Sequence, residues 1–300
     1  MPQGQIEYSK RDGVIYLHFA EIDGLGLVTH AFSTRLGGVS KPPCDSLNLG
    51  YHVADDPEAV AENRRRFLAV LGINRAQLVT AEQVHGDRVA VVDEKLLEVG
   101  RQLPDALNPL LSATDAMVTA IPWMALAIFT ADCVPILIVD PVRRAIGAAH
   151  AGWQGTVRKI AARTVRAMQD SFGTRPEDCL VALGPSIGPC CYEVDGRVMD
   201  RIHENFSASD RLATPRGGGK WLLDLWAANS RSLQETGVKE ENLLTSGCCT
   251  GCQPGLFFSH RAEKGKSGRM AAIVMLKRSD AAQNGDVQNG DVQNGDAQKE

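Results

Sequence analysis

The chain has 300 residues, of which 44% are hydrophobic and 23% are charged, and this composition is typical of a globular protein with a sizeable core. The net charge is −4 and the longest basic run is Arg64-Arg65-Arg66, so nucleic-acid binding through phosphate neutralisation is not indicated. Residues 1–19 lack the apolar stretch of a signal peptide, and no segment reaches the roughly 20 apolar residues of a membrane span. We therefore expect a cytoplasmic protein without a nucleic-acid or membrane partner, and no protein partner is evident.

Helices and strands are predicted along most of the chain. Asp56 followed by Pro57 is typical of a helix start, and Gly72 of its end. Further helices are predicted at 156–173, behind a Thr156 cap, and at 225–236, behind an Asp224 cap. Strands are predicted at 88–93, 126–130, 134–139, 145–149, 180–183 and 271–276. Because the elements alternate without a regular βαβ period, we expect an α/β (α+β) sandwich with mixed β-sheets in a single domain.

The C-terminal segment differs in composition from the rest. From Gln283 onward the chain reads QNGDV, QNGDV and QNGDA, with almost no apolar residues. Such a segment buries too little surface to offset the entropy of ordering it. We therefore expect a catalytic domain at 1–279 and a disordered low-complexity tail at 280–300.

A turn at Asp140-Pro141 predicts a hairpin. If it closes symmetrically about residues 141 and 142, Cys133 and His150 face each other, with Cβ atoms about 4.5–5.5 Å apart. Zinc binds thiolate sulphur at about 2.3 Å and imidazole nitrogen at about 2.0–2.1 Å, so one ion would bridge the pair. Metal-free packing of the two side chains is the alternative, and a slip of register would separate them. A third ligand is needed, and spacing alone does not select His85 from the seven histidines.

Several short motifs occur together in a specific order. They are Phe32-Ser33-Thr34-Arg35, Gly37-Gly38-Val39-Ser40, Leu47-Asn48-Leu49-Gly50, Gln83-Val84-His85-Gly86, Thr130-Ala131-Asp132-Cys133-Val134-Pro135, His150-Ala151-Gly152-Trp153, Gly184-Pro185-Ser186-Ile187-Gly188 and Phe258-Ser259-His260-Arg261. From about Phe32 to Leu276 the chain resembles the YfiH-like family, also labelled the laccase-domain or polyphenol oxidase family.

The resemblance implies a catalytic centre with one Zn²⁺ per chain on His85, Cys133 and His150, where copper would be an adventitious occupant. It also implies phosphorolysis of purine nucleosides such as adenosine, inosine and methylthioadenosine, with adenosine deamination as a further activity. The expected partners are therefore purine nucleosides and phosphate. An α/β sandwich of mixed sheets is implied as well, and some bacterial members are described as peptidoglycan-editing factors.

Five polar residues near these motifs are candidates for substrate contacts. Arg35, beside a glycine pair, is the leading phosphate ligand and Arg261 the second. Asp132, next to the thiolate, would orient a ligand or act as general acid, and a turn role is the alternative. Gln83 and Asn48 would bind the base or ribose, unless they make buried structural hydrogen bonds.

Two departures from the family pattern put phosphate affinity in doubt. Gln154 follows the His-Ala-Gly-Trp motif and Ala262 follows Arg261, where members usually carry arginine. A helix beginning near Thr156, six residues beyond His150, would also offer free N–H groups to an anion.

Of three alternative functions, one is rejected and two remain open. A multicopper oxidase is disfavoured because no two of the seven histidines are separated by one residue. A cysteine hydrolase or peptidoglycan-precursor-editing amidase would use Cys133 as nucleophile and His150 as base. A non-enzymatic zinc module is suggested by Cys249-Thr250-Gly251-Cys252, with Cys248 before it and Cys190-Cys191 as possible contributors. Since cytosolic thiols are kept reduced, a packed, metal-free cluster is the favoured reading of these cysteines.

Overall fold

A computed structural model describes residues 4–102 and 111–278 of the chain. The strands are β1 Ile6–Arg11, β2 Val14–Phe19, β3 Val28–Ser33, β4 Leu78–Val79, β5 Val89–Val91, β6 Ala116–Thr119, β7 Ala125–Thr130, β8 Val134–Asp140, β9 Ala145–Ala151, β10 Leu180–Leu183, β11 Glu193–Asp195, β12 Ala213–Gly217, β13 Lys220–Leu223, β14 Leu243–Thr245 and β15 Met270–Leu276. The helices are α1 Ala20–Asp23, α2 Pro57–Val70, α3 Glu94–Gln102, α4 Trp153–Val157, α5 Ile160–Phe172, α6 Gly196–Asn205 and α7 Leu225–Gln234. Among the described residues, no helix is both long and apolar enough to cross a bilayer. The predicted tail at 280–300 lies outside the described residues.

Two mixed six-stranded sheets dominate the fold. Their strand orders are β1-β2-β3-β15-β7-β4 and β14-β10-β8-β9-β6-β5, and a third sheet has the order β11-β13-β12. Most neighbours are antiparallel, but β4–β7, β5–β6 and β10–β14 are parallel. The expected mixed-sheet α/β sandwich in one domain is confirmed.

The central strands are buried on both faces. In β7, Leu126 and Ile128 pack between the two large sheets, while Ala127 and Phe129 face the layer that contains α2. Strand β8 likewise places Leu137 between the sheets and its alternate residues against α5 and α7. The sequences of these two strands are therefore continuously apolar, because neither face is exposed to solvent.

The predicted helix starts and ends are accurate where local chemistry sets them. The Asp56 side chain accepts a hydrogen bond from Glu58 N at 3.0 Å, Pro57 follows it, and Gly72 has φ +66° just beyond α2. Asp224 caps α7 in the same way through Ala227 N at 2.9 Å. The strand predicted at 88–93 is shorter in the structure, where β5 covers only Val89–Val91. The helix predicted at 225–236 is also shorter, since α7 ends at Gln234.

The helix predicted at 156–173 is wrong in its first part. The segment forms two helices, because Lys159 between them has φ 59° in the left-handed region. Thr156 does not cap a helix. It lies within α4, and its Oγ1 accepts a hydrogen bond from Asn229 Nδ2 at 2.9 Å. The anion-binding terminus expected near Thr156 is therefore absent, since the first of these helices begins at Trp153 and has only 5 residues.

The predicted register of the β8–β9 hairpin is also wrong, by two residues. His150 pairs with Pro135 rather than with Cys133, and Asp140 pairs with Ala145. The turn is longer than expected because the Asp140 side chain accepts hydrogen bonds from the backbone N–H groups of residues 142 and 143. A register shift of two residues leaves every side chain on the same face of the hairpin. His150 therefore still lies on the same face as Cys133, which comes two residues before its strand partner Pro135.

Candidate metal centre

Three side chains of metal-ligand type meet at the mouth of the hairpin. Cys133 lies in the turn between β7 and β8, His150 lies on β9, and His85 comes from the loop before β5. Their ligand atoms all lie within 4.8 Å of one another. The two imidazole rings have centroids 4.8 Å apart and planes inclined by 69°. The structure thus brings together the three residues that the family resemblance implied.

Backbone geometry permits this close approach. His85 has φ 59° and Asp132, next to the cysteine, has φ 86°, so both turns use the left-handed region. A Cβ added to Gly152 would lie 2.8 Å from Cys133 Sγ and 2.9 Å from His85 Cδ2. Only glycine at this position leaves room for the thiol and the imidazole.

A fully buried carboxylate, which sequence reasoning missed, orients the centre. Asp115 Oδ1 accepts a hydrogen bond from His150 Nδ1 at 2.8 Å, so Nε2 is the ring nitrogen that faces Cys133. Oδ1 also accepts from His85 N at 3.0 Å, and Oδ2 accepts from Val84 N at 3.1 Å and Gly86 N at 2.7 Å. One carboxylate therefore fixes the tautomer of one histidine and the loop that carries the other. Carboxylate–histidine pairs of this kind support many metal sites.

Cys133 and His150 form a charge pair in the metal-free protein. Burial would raise the pKa of the Cys133 thiol, but the charges and hydrogen bonds of His150 and His85 lower it to about 6. Burial would lower the pKa of His150, but the thiolate and Asp115 raise it to about 9. The thiolate is the form of cysteine that binds metals, so the thiol is already prepared for a cation.

The donor set suits a soft or borderline transition metal. One thiolate and two imidazoles are ligands for zinc and for copper. His85 is exposed whereas His150 is buried, so the centre opens to solvent on one side. Three protein ligands with an open fourth position are typical of catalytic rather than structural zinc.

Arg35, the leading phosphate candidate, makes internal contacts. Its Nε donates to Asp45 O at 2.8 Å, and its Nη1 donates to Pro254 O at 2.8 Å and to Glu263 Oε1 at 3.0 Å. The guanidinium also lies 4.4 Å from the Phe258 ring centroid. These contacts fix loops near the centre, and phosphate binding by Arg35 stays a prediction.

Asn48 and Gln83 also hydrogen-bond within the protein. Asn48 Nδ2 donates to Asp55 Oδ2 at 2.7 Å, and its Oδ1 accepts from Gly50 N at 3.1 Å. The Gln83 amide donates to Phe129 O at 2.7 Å and accepts from Phe129 N at 2.8 Å. The Gln83 side-chain amide thereby pairs with both backbone groups of Phe129 in β7, as a neighbouring strand would. Contact of either residue with a substrate stays a prediction.

Asp132 connects the Cys133 turn to two other loops. Its Oδ1 accepts from Thr250 Oγ1 at 2.6 Å and its Oδ2 accepts from Arg261 N at 2.7 Å. The exposed Arg261 side chain donates to Glu193 O at 2.9 Å, with its guanidinium 5.2 Å from the Tyr192 ring centroid. Arg261 is therefore a cation beside the centre that is accessible to solvent.

A basic groove runs past α4 near the centre. Gln154, which replaces the usual arginine, lies in it, and Arg158 Nη1 donates to His85 O at 3.1 Å. The groove has a volume of about 640 Å³, and its basic lining residues are Arg158, Lys159, Arg163, Arg166 and Arg201. Several cations thus remain close to the position of the missing arginine, a feature that motif comparison did not reveal.

Comparison with known proteins gives a consistent result. A family model described as multi-copper polyphenol oxidoreductase laccase matches residues 29–277. The chain is 36% identical over 252 residues to purine nucleoside phosphorylase YlmD of Bacillus subtilis, covering 84% of this chain and 90% of that protein. It is 37% identical over 247 residues to purine nucleoside phosphorylase YfiH of Escherichia coli, covering 81% and 92%.

A solved structure shares the fold. The crystal structure of YlmD from Geobacillus stearothermophilus aligns with a TM-score of 0.84 at 36% sequence identity, covering 92% of this chain and 100% of that one. Agreement in sequence, fold and extent covers nearly the whole described chain. The chain therefore belongs to the YfiH-like family, whose family model carries the laccase description.

Proposed function

We propose that the protein is a zinc-dependent purine nucleoside phosphorylase that acts at the centre formed by His85, Cys133 and His150. The observation that carries the proposal is the convergence of these three ligands with Asp115 hydrogen-bonded behind His150. Its second support is that two relatives at 36% and 37% identity bear the name purine nucleoside phosphorylase. We propose adenosine, inosine and methylthioadenosine as substrates and the cytoplasm as the location.

Zinc is proposed as the metal, with copper as an adventitious occupant. Multicopper oxidases bind several copper ions through paired His-X-His motifs, and none of the seven histidines of this chain forms such a pair. A zinc ion at this centre would supply Lewis-acid polarisation of a substrate atom.

The side chains of the protein would bind and orient the substrates around the metal. Asp115 holds His150 with Nε2 directed away from the carboxylate, and the Cys133 thiolate supplies negative charge to the metal site. Phosphate carries about two negative charges at neutral pH, so it needs cationic partners. We propose that Arg261, and Arg158 at the edge of the basic groove, provide them.

Asp132 is proposed as a positioning residue. Both of its oxygens accept hydrogen bonds from donors, Thr250 Oγ1 and Arg261 N. This arrangement fits a carboxylate that positions the Arg261 segment beside Cys133. It fits less well a general acid, which would need to present a proton to the leaving purine.

The experiment compares metal content and adenosine turnover, with and without phosphate, in wild type and in Cys133→Ala. We expect one zinc ion at this centre, lost in the variant, and phosphate-dependent release of adenine. The matched control is Cys179→Ala, which removes a buried core cysteine next to Leu180, whose strand partner Val139 lies at the end of β8 opposite to Cys133. Bound zinc without nucleoside turnover would refute the purine assignment.

Two further activities are separated by the same assay. Formation of inosine without phosphate would identify adenosine deamination, the additional activity proposed here. The Cys133–His150 charge pair favours a cysteine hydrolase, such as a peptidoglycan-precursor-editing amidase, as a second candidate function. A cysteine hydrolase would be most active after metal removal, whereas the phosphorylase would lose its activity.

A further inference from the structure

Four cysteines outside the candidate centre converge in space. The Sγ atoms of Cys190, Cys191, Cys249 and Cys252 all lie within 4.8 Å of one another. Cys252 Sγ lies 3.3 Å from Cys190 Sγ and 3.4 Å from Cys191 Sγ. All four are free thiols. We call this group the four-cysteine cluster.

Two loops that leave neighbouring parallel strands bring the cluster together. Cys190 and Cys191 follow β10, and the other two cysteines follow β14, which pairs with β10. The pairing continues beyond the strands, since Ser186 and Cys249 form a parallel bridge. A Cβ added to Gly251 would lie 3.0 Å from Cys191 Cβ and 3.2 Å from its Sγ, so glycine is needed where the loops meet.

The sulphur–sulphur separations, from 3.3 Å up to at most 4.8 Å, span the value for a single tetrahedral ion. Four sulphur atoms at about 2.3 Å from zinc lie about 3.8 Å from one another, which is the scale of the observed cluster. A disulfide bond needs two sulphur atoms about 2.05 Å apart, whereas Cys252 Sγ lies 3.3 Å and 3.4 Å from the sulphur atoms of Cys190 and Cys191. Four thiolates in a closed set are typical of structural zinc, whereas the centre at Cys133 has only three ligands.

A backbone donor also favours negative charge in the cluster. Gly188 N donates to Cys249 Sγ at 3.2 Å. This N–H group points its positive end at the most buried member of the cluster, where it would support a thiolate bound to a cation.

We propose that Cys190, Cys191, Cys249 and Cys252 bind a second zinc ion, which is structural and separate from the ion at Cys133. The site ties the loop after β10 to the loop after β14. Thr250, inside the second loop, donates through Oγ1 to Asp132 Oδ1 at 2.6 Å, directly beside Cys133. The structural ion thus holds one wall of the candidate centre in place. The inference depends only on the four thiols and not on the proposed nucleoside chemistry.

The test is metal content and zinc X-ray absorption of the whole chain, loaded with zinc under a non-thiol reductant. We expect two zinc ions per chain in wild type and one in Cys252→Ser. The variant Cys133→Ala/His150→Ala should retain one ion, with four sulphur neighbours at about 2.3 Å. Cys248→Ser is the matched control, because this buried neighbour of Cys249 contacts Tyr8 and lies outside both groups.

The measurement on the double variant does not depend on folding of a cluster variant. One zinc ion per chain in wild type would overturn the proposal, as would a second ion that survives in Cys252→Ser. The mass of protein isolated without oxygen provides a further test. A mass lower by two hydrogens per bond would show that the cysteines form disulfides, and this result would also overturn the proposal. Loss of nucleoside turnover with two ions present would refute the proposed function and leave this site intact.

Discussion

Replacing Asp115 by asparagine should weaken zinc binding at the candidate centre while the fold is retained. Each carboxylate oxygen accepts two hydrogen bonds, Oδ1 from His150 Nδ1 and His85 N, and Oδ2 from Val84 N and Gly86 N. The amide group of asparagine presents N–H donors on one side. In either orientation, those donors meet two groups that themselves donate.

The two orientations harm the centre in different ways. With its nitrogen toward His150, the amide donates to Nδ1, which moves the ring proton to Nε2 and removes the lone pair available to a metal. With its nitrogen toward the loop, it repels the N–H groups that fix the segment carrying His85. Changes in such supporting residues typically cost 10–100-fold in metal affinity, or about 1.4–2.7 kcal/mol.

The assay is competition for zinc with a chromophoric chelator, on protein with the four-cysteine cluster already loaded. Asp140→Asn is the matched control, since Asp140 is fully buried and accepts two backbone N–H groups but has no hydrogen bond to a histidine within residues 4–102 and 111–278. The Kd for zinc should rise in the Asp115 variant and stay unchanged in the control. Equal affinities in the two folded variants would refute the role assigned to Asp115.

Three further results are expected. Gly152→Ala should lower zinc affinity at least about tenfold, because its Cβ would lie 2.8 Å from Cys133 Sγ. Gly255→Ala should not, because a Cβ there would have no atom within 4 Å among the described residues other than its chain neighbours. In metal-free protein, alkylation of Cys133 by iodoacetamide should rise with pH through about 6 and then level off, because thiolate formation follows its lowered pKa; a rise that continues to pH 9 would contradict this. Arg261→Ala should raise the KM for phosphate without changing zinc content, and Arg216→Ala, another exposed arginine that contacts Glu193, should leave both unchanged.

Features set by neighbours in sequence were predictable. The Asp56-Pro57 start of α2 and the end of α5 at Gly173 follow from cap chemistry within a few residues. The long apolar runs of β7 and β8 predicted buried strands because both faces of these strands are covered. The break at Lys159 was not predictable, since the apolar spacing continues across it and only its backbone conformation divides the two helices.

Features that depend on distant pairing could not be read from the chain. Asp115 reaches His150 because β6 pairs with β9, and 35 residues separate them. The four-cysteine cluster likewise depends on the parallel pairing of β10 with β14, since Cys190 and Cys252 are 62 residues apart. The sequence offered Cys249 and Cys252 as a pair and Cys190-Cys191 as contributors, and the fold shows that these four, without Cys248, lie together.

The hairpin shows why an inexact prediction still named two residues that the structure brings together, Cys133 and His150. The predicted turn was too short because the Asp140 side chain organises two additional turn residues, which shifts the register by two. Side chains alternate faces with a period of two, so this shift moves His150 along the ribbon without moving it to the other face. A shift of one would have directed His150 away from Cys133. An error in turn length by an even number of residues changes the cross-strand partner of a ligand but leaves the ligand on the same face of the ribbon. An odd error moves it to the other face. The turn residues, here Asp140, decide which of the two occurs.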